Sequence, residues 1–88
     1  MRKVKAIKVF DNLTMLITFE NDEKRVFDLE DILEMQAFQK LEDVDKFKSA
    51  KIINGTVTWL NGEIDLAPQY MYEISYEFDD SEIVYAQG

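Results

Sequence analysis

The chain has 88 residues, of which 47% are hydrophobic and 32% are charged, and it contains no cysteine and no histidine. This length and mixture predict one globular domain, because single domains run to about 100–150 residues and disordered chains are poorer in apolar residues. The missing side chains exclude disulfide bonds, thiolate nucleophiles, Cys/His zinc sites and imidazole acid–base catalysis. No apolar run reaches the length of about 20 residues that a transmembrane helix needs, and the N-terminus has no apolar signal-peptide region. We therefore expect a cytoplasmic protein with no cofactor, no metal and no membrane contact.

The charge is unevenly distributed along the chain. The formal net charge is −8, from 10 basic and 18 acidic residues. Residues 1–10 carry four bases and no acid, whereas residues 52–88 carry seven acids and no base. Because nucleic-acid binding depends on lysine and arginine, we expect no nucleic-acid binding by this chain on its own. The basic start is typical of an edge strand protected against pairing, and the acidic half is either a solvated surface or a docking surface for a basic protein.

The first thirty residues predict an antiparallel meander of three strands. Residues 13–20 alternate between apolar and polar, with Leu16 as the only breach. Residues 4–10 have strand composition, but their alternation changes phase, which a β-bulge near Ala6 would explain. Residues 24–29 supply the third strand, since turn-forming residues precede them.

The apolar period then changes from that of a strand to that of a helix. Leu29, Ile32, Leu33 and Ala37 would share one helical stripe, and Asp28 stands where a capping carboxylate is expected. A second acidic residue, Asp43, is placed to cap a further short turn. One or two short helices are therefore expected between residues 29 and 51.

The second half contains two Asn-Gly pairs, Asn54-Gly55 and Asn61-Gly62. Both suit a type I′ turn, which needs positive φ at two successive residues. They predict a second short meander over residues 51–66. Pro68 then suits the first position of a closing helix, where its missing N–H would have no partner. Beyond Ser75, residues 76–78 could form a strand to which residues 83–85 pair back.

The predicted fold class is α+β: an antiparallel meander, one or two short helices, a second short antiparallel meander and a closing helix. Residues 1–75 form the expected single domain. Residues 76–88 form an acidic, aromatic C-terminal extension that is packed on the domain or partly ordered.

The chain resembles a bacterial family known only as domain of unknown function 2442, over roughly residues 2–74. The residues that carry the resemblance are Val4, Ile7, Leu16, Phe19, Asp22, Phe27-Asp28-Leu29, Leu41, Phe47, the run Thr56-Val57-Thr58-Trp59-Leu60-Asn61-Gly62-Glu63-Ile64-Asp65-Leu66-Ala67-Pro68, and Tyr72. The chain departs from the family at Asp22-Glu23, where an Asp-Gly turn is usual. The resemblance implies an α+β fold without an established activity, and a protein partner of the kind found in two-gene toxin–antitoxin cassettes. Some relatives add a helix-turn-helix, for which the acidic end of this chain is too short.

Three residues could form a pocket or serve the fold alone. Trp59, the only tryptophan, is either a core residue or a partly exposed ligand platform or interface anchor. Asp28 and Asp65 are each expected to cap a helix start, although together in one cleft their repulsion would raise a pKa and create an acid–base pair.

The leading hypothesis is a non-enzymatic protein-interaction module, in the specific form of an antitoxin-like partner in a two-gene cassette. Tyrosines beside acids suit a wet protein interface, and the acidity favours a basic partner. The interaction candidates are Trp59, Asp65, Tyr70, Tyr72, Tyr76 and Phe78. The alternative is a small-ligand-binding or carboxylate-based catalytic domain that uses Asp28, Trp59 and Asp65. Homo-oligomerisation as the sole role is a third hypothesis.

Overall fold

The computed structural model describes residues 2–78, which form two small antiparallel sheets linked by short helical segments. The strands are β1 (Val4–Val9), β2 (Thr14–Phe19), β3 (Lys24–Asp28), β4 (Lys51–Ile53), β5 (Thr56–Trp59), β6 (Ile64–Leu66) and β7 (Tyr76–Glu77). The helices are α1 (Val44–Phe47) and α2 (Pro68–Ile74), with 3₁₀ helices at Leu29–Ile32, Gln36–Glu42 and Leu60–Gly62. The strand orders are β1-β2-β3-β7 and β4-β5-β6, which confirms the predicted α+β class with two meanders and a closing helix.

Strand β1 forms one edge of the four-stranded sheet and connects that sheet to the smaller one. Its register with β2 shifts between Val4 and Ala6, which confirms the predicted bulge. The backbone N–H of Val4 donates to the carbonyl oxygen of Gly55 at 2.8 Å. Gly55 has a φ of 80°, and a Cβ built on it would lie 2.7 Å from the Cβ of Lys3. Glycine is therefore required here both by the backbone conformation and by the close approach of β1.

The segment between the two sheets forms three short helical segments, where the sequence predicts one or two short helices. Asp28 caps the first turn, because its carboxylate accepts from the Glu30 N–H at 3.0 Å. Asp43 caps α1 and accepts from the Asp45 N–H at 2.9 Å. Both predicted caps are confirmed, whereas the predicted stripe is wrong at Ala37, which is exposed.

Both Asn-Gly pairs form a two-residue turn with positive φ, but the strand ladder extends to the turn only at the first pair. Asn54 and Gly55 have φ values of 51° and 80° and form the expected two-residue hairpin between β4 and β5. At the second pair the ladder ends at Trp59 opposite Ile64, which leaves a four-residue loop. The reason is that the N–H of Leu60 donates to the Ser49 hydroxyl oxygen at 3.2 Å and takes no part in the ladder. Within this loop Asn61 and Gly62 have φ values of 57° and 92°, and the Glu63 N–H donates to the Leu60 carbonyl oxygen at 3.2 Å, so the predicted two-residue turn is confirmed at this pair too.

The inner faces of both sheets meet in one core with an aromatic centre. The indole of Trp59 has ring centroids of Phe27 and Phe47 at 6.3 Å and that of Phe38 at 6.5 Å. Phe27 comes from the first sheet, Trp59 from the second, and the other two rings come from the helical segment between them. Aromatic pairs at such distances contribute about 0.5–1.5 kcal/mol each beyond the burial of their area. This cluster therefore joins all three parts of the fold.

Helix α2 is followed by strand β7, which is the fourth strand of the larger sheet. Pro68 stands at the start of α2 as predicted. The residue before the helix is Ala67, and no side chain caps it, so the expected capping role of Asp65 is wrong. Asp65 lies inside β6, where strand pairing places it opposite Thr58. Tyr76 pairs with Val26, so the chain stays in the same sheet past residue 75. The strand expected at residues 83–85 lies outside the described residues.

Candidate functional site

Trp59 lies in the core. Its exposed fraction is 0%, so its ring cannot anchor a partner or a ligand in this structure. The indole N–H is buried, and no atom of residues 2–78 accepts its hydrogen bond. Trp59 is therefore a core residue and not a partly exposed ligand platform or interface anchor.

The two aspartates do not share a pocket with Trp59. Asp28 ends β3 in the four-stranded sheet and caps the following turn, whereas the exposed Asp65 is on β6 in the other sheet. A pocket of about 150 Å³ contains none of the three and is lined by Arg2, Lys3, Phe19, Glu20 and Asn21. Within residues 2–78, no three acidic side chains are grouped closely enough to hold a metal ion. The predicted acid–base pocket is therefore not formed among these residues.

Tyr72 has a structural position between two guanidinium groups. The guanidinium carbons of Arg2 and Arg25 lie 3.7 and 4.3 Å from the centroid of its ring. Its hydroxyl group donates to the carboxylate of Glu23 at 2.8 Å, which lowers the pKa of Glu23 below its usual value. Arg25 also donates to the Ser75 hydroxyl at 2.8 Å and to the Ser75 carbonyl at 2.6 Å. These contacts hold α2 against β3, and they leave the side chain of Tyr72 half-buried.

Tyr70 and Tyr76 are exposed, at 36% and 57%, and both contact the segment that follows β3. The Tyr70 hydroxyl lies 3.7 Å from the sulfur of Met35, which is itself 44% exposed. The neighbouring carboxylate of Asp31 raises the pKa of the Tyr76 hydroxyl, because it favours the protonated form of that group. We call Asp31, Met35, Tyr70 and Tyr76 the acidic tyrosine surface.

The two chain segments that form this surface carry only negative charge. Residues 28–35 carry four acids and no base, and residues 68–78 carry two acids and no base. Among residues 2–78, none of these six carboxylates has a lysine or arginine nitrogen within 4.0 Å; the ion pairs that occur use other acids. Opposite charges at an interface steer association, so a cationic surface is the natural complement.

A second surface, which we call the outer face, is the side of the four-stranded sheet that points away from the core. Strand pairing aligns Lys8, Leu16, Val26 and Tyr76 in one row across β1, β2, β3 and β7. Leu16 and Val26 are half-buried, but they are not among the apolar side chains that line or contact the core. Because side chains alternate along a strand, Phe10 and Phe78 lie on the same side as this row.

The sequence interpretation missed the outer face as a unit. It treated Leu16 as an isolated breach of the pattern, although Val26 breaches the third strand in the same way. The two breaches together would have indicated a second apolar face, but only the register shows that they are neighbours. Tyr76 and Phe78 were named as interaction candidates, and both lie on this face.

The comparisons with known proteins agree with the resemblance noted in the sequence. The family model described as "Protein of unknown function (DUF2442)" matches residues 4–77. The chain belongs to this family. No curated protein and no solved structure matches the chain significantly. In this DUF2442 domain, no helix within the described residues is long and apolar enough to cross a membrane.

Proposed function

We propose that this chain is a non-enzymatic, cytoplasmic protein-interaction module that binds a basic protein partner through the acidic tyrosine surface. Its specific form would be the antitoxin-like half of a two-gene cassette, in which the partner is the product of the adjacent gene. The single observation that carries the proposal is the pair of exposed tyrosines, Tyr70 and Tyr76, on two segments whose carboxylates have no lysine or arginine nitrogen of residues 2–78 within 4.0 Å.

The chemistry of this surface is that of a protein interface. Tyrosine and methionine are enriched in interface cores, because each offers a large contact area. Tyr70 is on helix α2 and Tyr76 is in a paired strand, so the backbone of both tyrosines is ordered before a partner binds. This order lowers the entropic cost of binding. The surrounding carboxylates favour fast encounter with a cationic partner and disfavour acidic ones.

Co-expression with the product of the adjacent gene, followed by size-exclusion chromatography at micromolar concentration, tests the proposal. We expect one co-eluting complex whose affinity falls as the salt concentration rises, because exposed charges are screened. Two proteins that elute separately would contradict the proposed partner.

The surface itself is tested by Tyr70→Ala, with Val44→Ala as the matched control. Val44 is 38% exposed and lies on α1, outside the acidic tyrosine surface. We expect Tyr70→Ala to weaken the complex by about 1–2 kcal/mol, or about 5- to 30-fold, as truncation of an interface aromatic commonly does. Val44→Ala should leave the affinity unchanged, and equal effects of the two variants would place the interface elsewhere.

A further inference from the structure

We propose that a second copy of this chain docks on the outer face, sheet against sheet, about a twofold axis parallel to the strands. The starting observation is the row Lys8, Leu16, Val26 and Tyr76, which is apolar in its middle and differs in charge at its ends. Contiguous apolar side chains outside a core mark interaction surfaces in soluble proteins. This surface differs from the one proposed for a basic partner, although Tyr76 and Asp31 belong to both.

The ends of the row have opposite charge. At the β1 end, the Lys8 ammonium group lies 5.7 Å from the centroid of the Phe10 ring and forms no ion pair within the described residues. At the β7 end, Tyr76 lies beside the carboxylate of Asp31. Strand spacing of about 4.8 Å places the two ends roughly 14 Å apart, so they are separate points of contact.

These charges decide between the two ways in which a twofold axis can lie between facing sheets. An axis parallel to the strands exchanges the ends of the row, so that Lys8 of each copy faces Tyr76 and Asp31 of the other. In the middle of the row, Leu16 of each copy then packs against Val26 of the other copy. An axis perpendicular to the strands would instead place Lys8 opposite Lys8, and like charges in such proximity oppose association.

The neighbouring rows fit the same arrangement. Thr18 pairs with Lys24, and Thr14 pairs with Asp28, each within one copy. About the axis parallel to the strands, each threonine would face the charged residue of its own row in the second copy. A hydroxyl group can both donate and accept, so it tolerates either charge. No like-charged pair arises on the outer face in this arrangement.

The available area predicts a weak dimer. Four strands at about 4.8 Å and five residues at about 3.3 Å cover roughly 300 Å² per copy in projection, against about 800 Å² per partner in stable complexes. We therefore expect a dissociation constant on the order of 100 µM, with association visible only in concentrated solution.

Sedimentation equilibrium of the full chain between micromolar and millimolar concentration measures this association. We expect a concentration-dependent mass that rises towards the dimer, and at least a tenfold weaker association for Val26→Lys. The matched control is Ile53→Lys, because Ile53 is an exposed apolar residue of the other sheet, and this variant should dimerise as the wild type does. Circular dichroism confirms that both variants are folded. A monomer at every concentration, or a dimer insensitive to Val26→Lys, would overturn the proposal.

A charge exchange tests the direction of the axis. Lys8→Glu and Asp31→Lys should each weaken the homodimer, because each places like charges at both ends of the row. An equimolar mixture of the two variants should regain association, since every end then faces its opposite. If the mixture stays as weak as the separate variants, the axis is not parallel to the strands and the proposed arrangement is wrong.

Discussion

Replacement of Trp59 by phenylalanine is expected to cost little, although the side chain is fully buried. The smaller ring leaves roughly 40 Å³ unfilled, which at about 24 cal/mol per Å³ and with the lost apolar transfer costs about 2–2.5 kcal/mol. The indole N–H, for which residues 2–78 offer no acceptor, disappears in the variant. An unsatisfied buried donor costs about 1–3 kcal/mol, so the two effects nearly cancel. We expect the free energy of unfolding of Trp59→Phe to lie within about 1 kcal/mol of the wild type.

Urea unfolding followed by far-UV circular dichroism measures this difference, because the variant has no tryptophan to report by fluorescence. Trp59→Ala serves as the comparison and should cost about 3–5 kcal/mol, since the aromatic cluster then loses its central ring. The reasoning would be refuted if Trp59→Phe cost more than about 3 kcal/mol, because only a satisfied N–H would then explain the loss.

Three further variants test contacts that hold the fold together. Tyr72→Phe removes the hydrogen bond that most lowers the pKa of Glu23 in the folded state. The stabilisation that this lowered pKa provides is fully present above the ordinary value of 4.5, and it is lost as the pH falls through the folded-state pKa. The variant should therefore be destabilised more at pH 7 than at pH 3, and chemical unfolding with the same loss at both would contradict this. Gly55→Ala should lose about 1–2 kcal/mol from its positive φ alone, with an added steric cost against Lys3, and an unchanged melting temperature would refute it. Asp43→Ala should cost about 0.5–2 kcal/mol in urea unfolding, because α1 loses its cap; Asp43→Asn should retain most of the stability.

The strands were predictable because their signal is local. The alternation in residues 13–20 and the phase change near Ala6 follow from the two-residue period of a strand, and both appear in the structure. The caps at Asp28 and Asp43 were predictable for the same reason, since a capping side chain contacts backbone two or three residues away.

The site depended on contacts that are distant in sequence. Tyr76 pairs with Val26 across fifty residues, and nothing in the local pattern identifies β3 as its neighbour. The burial of Trp59 likewise depends on rings from three separate segments. The strand ladder ends before the second Asn-Gly turn, because the Ser49 hydroxyl, eleven residues away, accepts a hydrogen bond from the N–H of Leu60. Local periodicity carries no information about any of these contacts.

The link between Arg25 and Ser75 has a consequence for how the chain assembles during synthesis. Glu23 is already present when the hairpin of β2 and β3 leaves the ribosome, whereas the hydroxyl and carbonyl oxygens of Ser75, which accept two hydrogen bonds from Arg25, are synthesised fifty residues later. Until α2 emerges, this edge of the nascent sheet is open to water and to other chains. The domain should consequently become protease-resistant in one late step, after the last turn of α2 has been released.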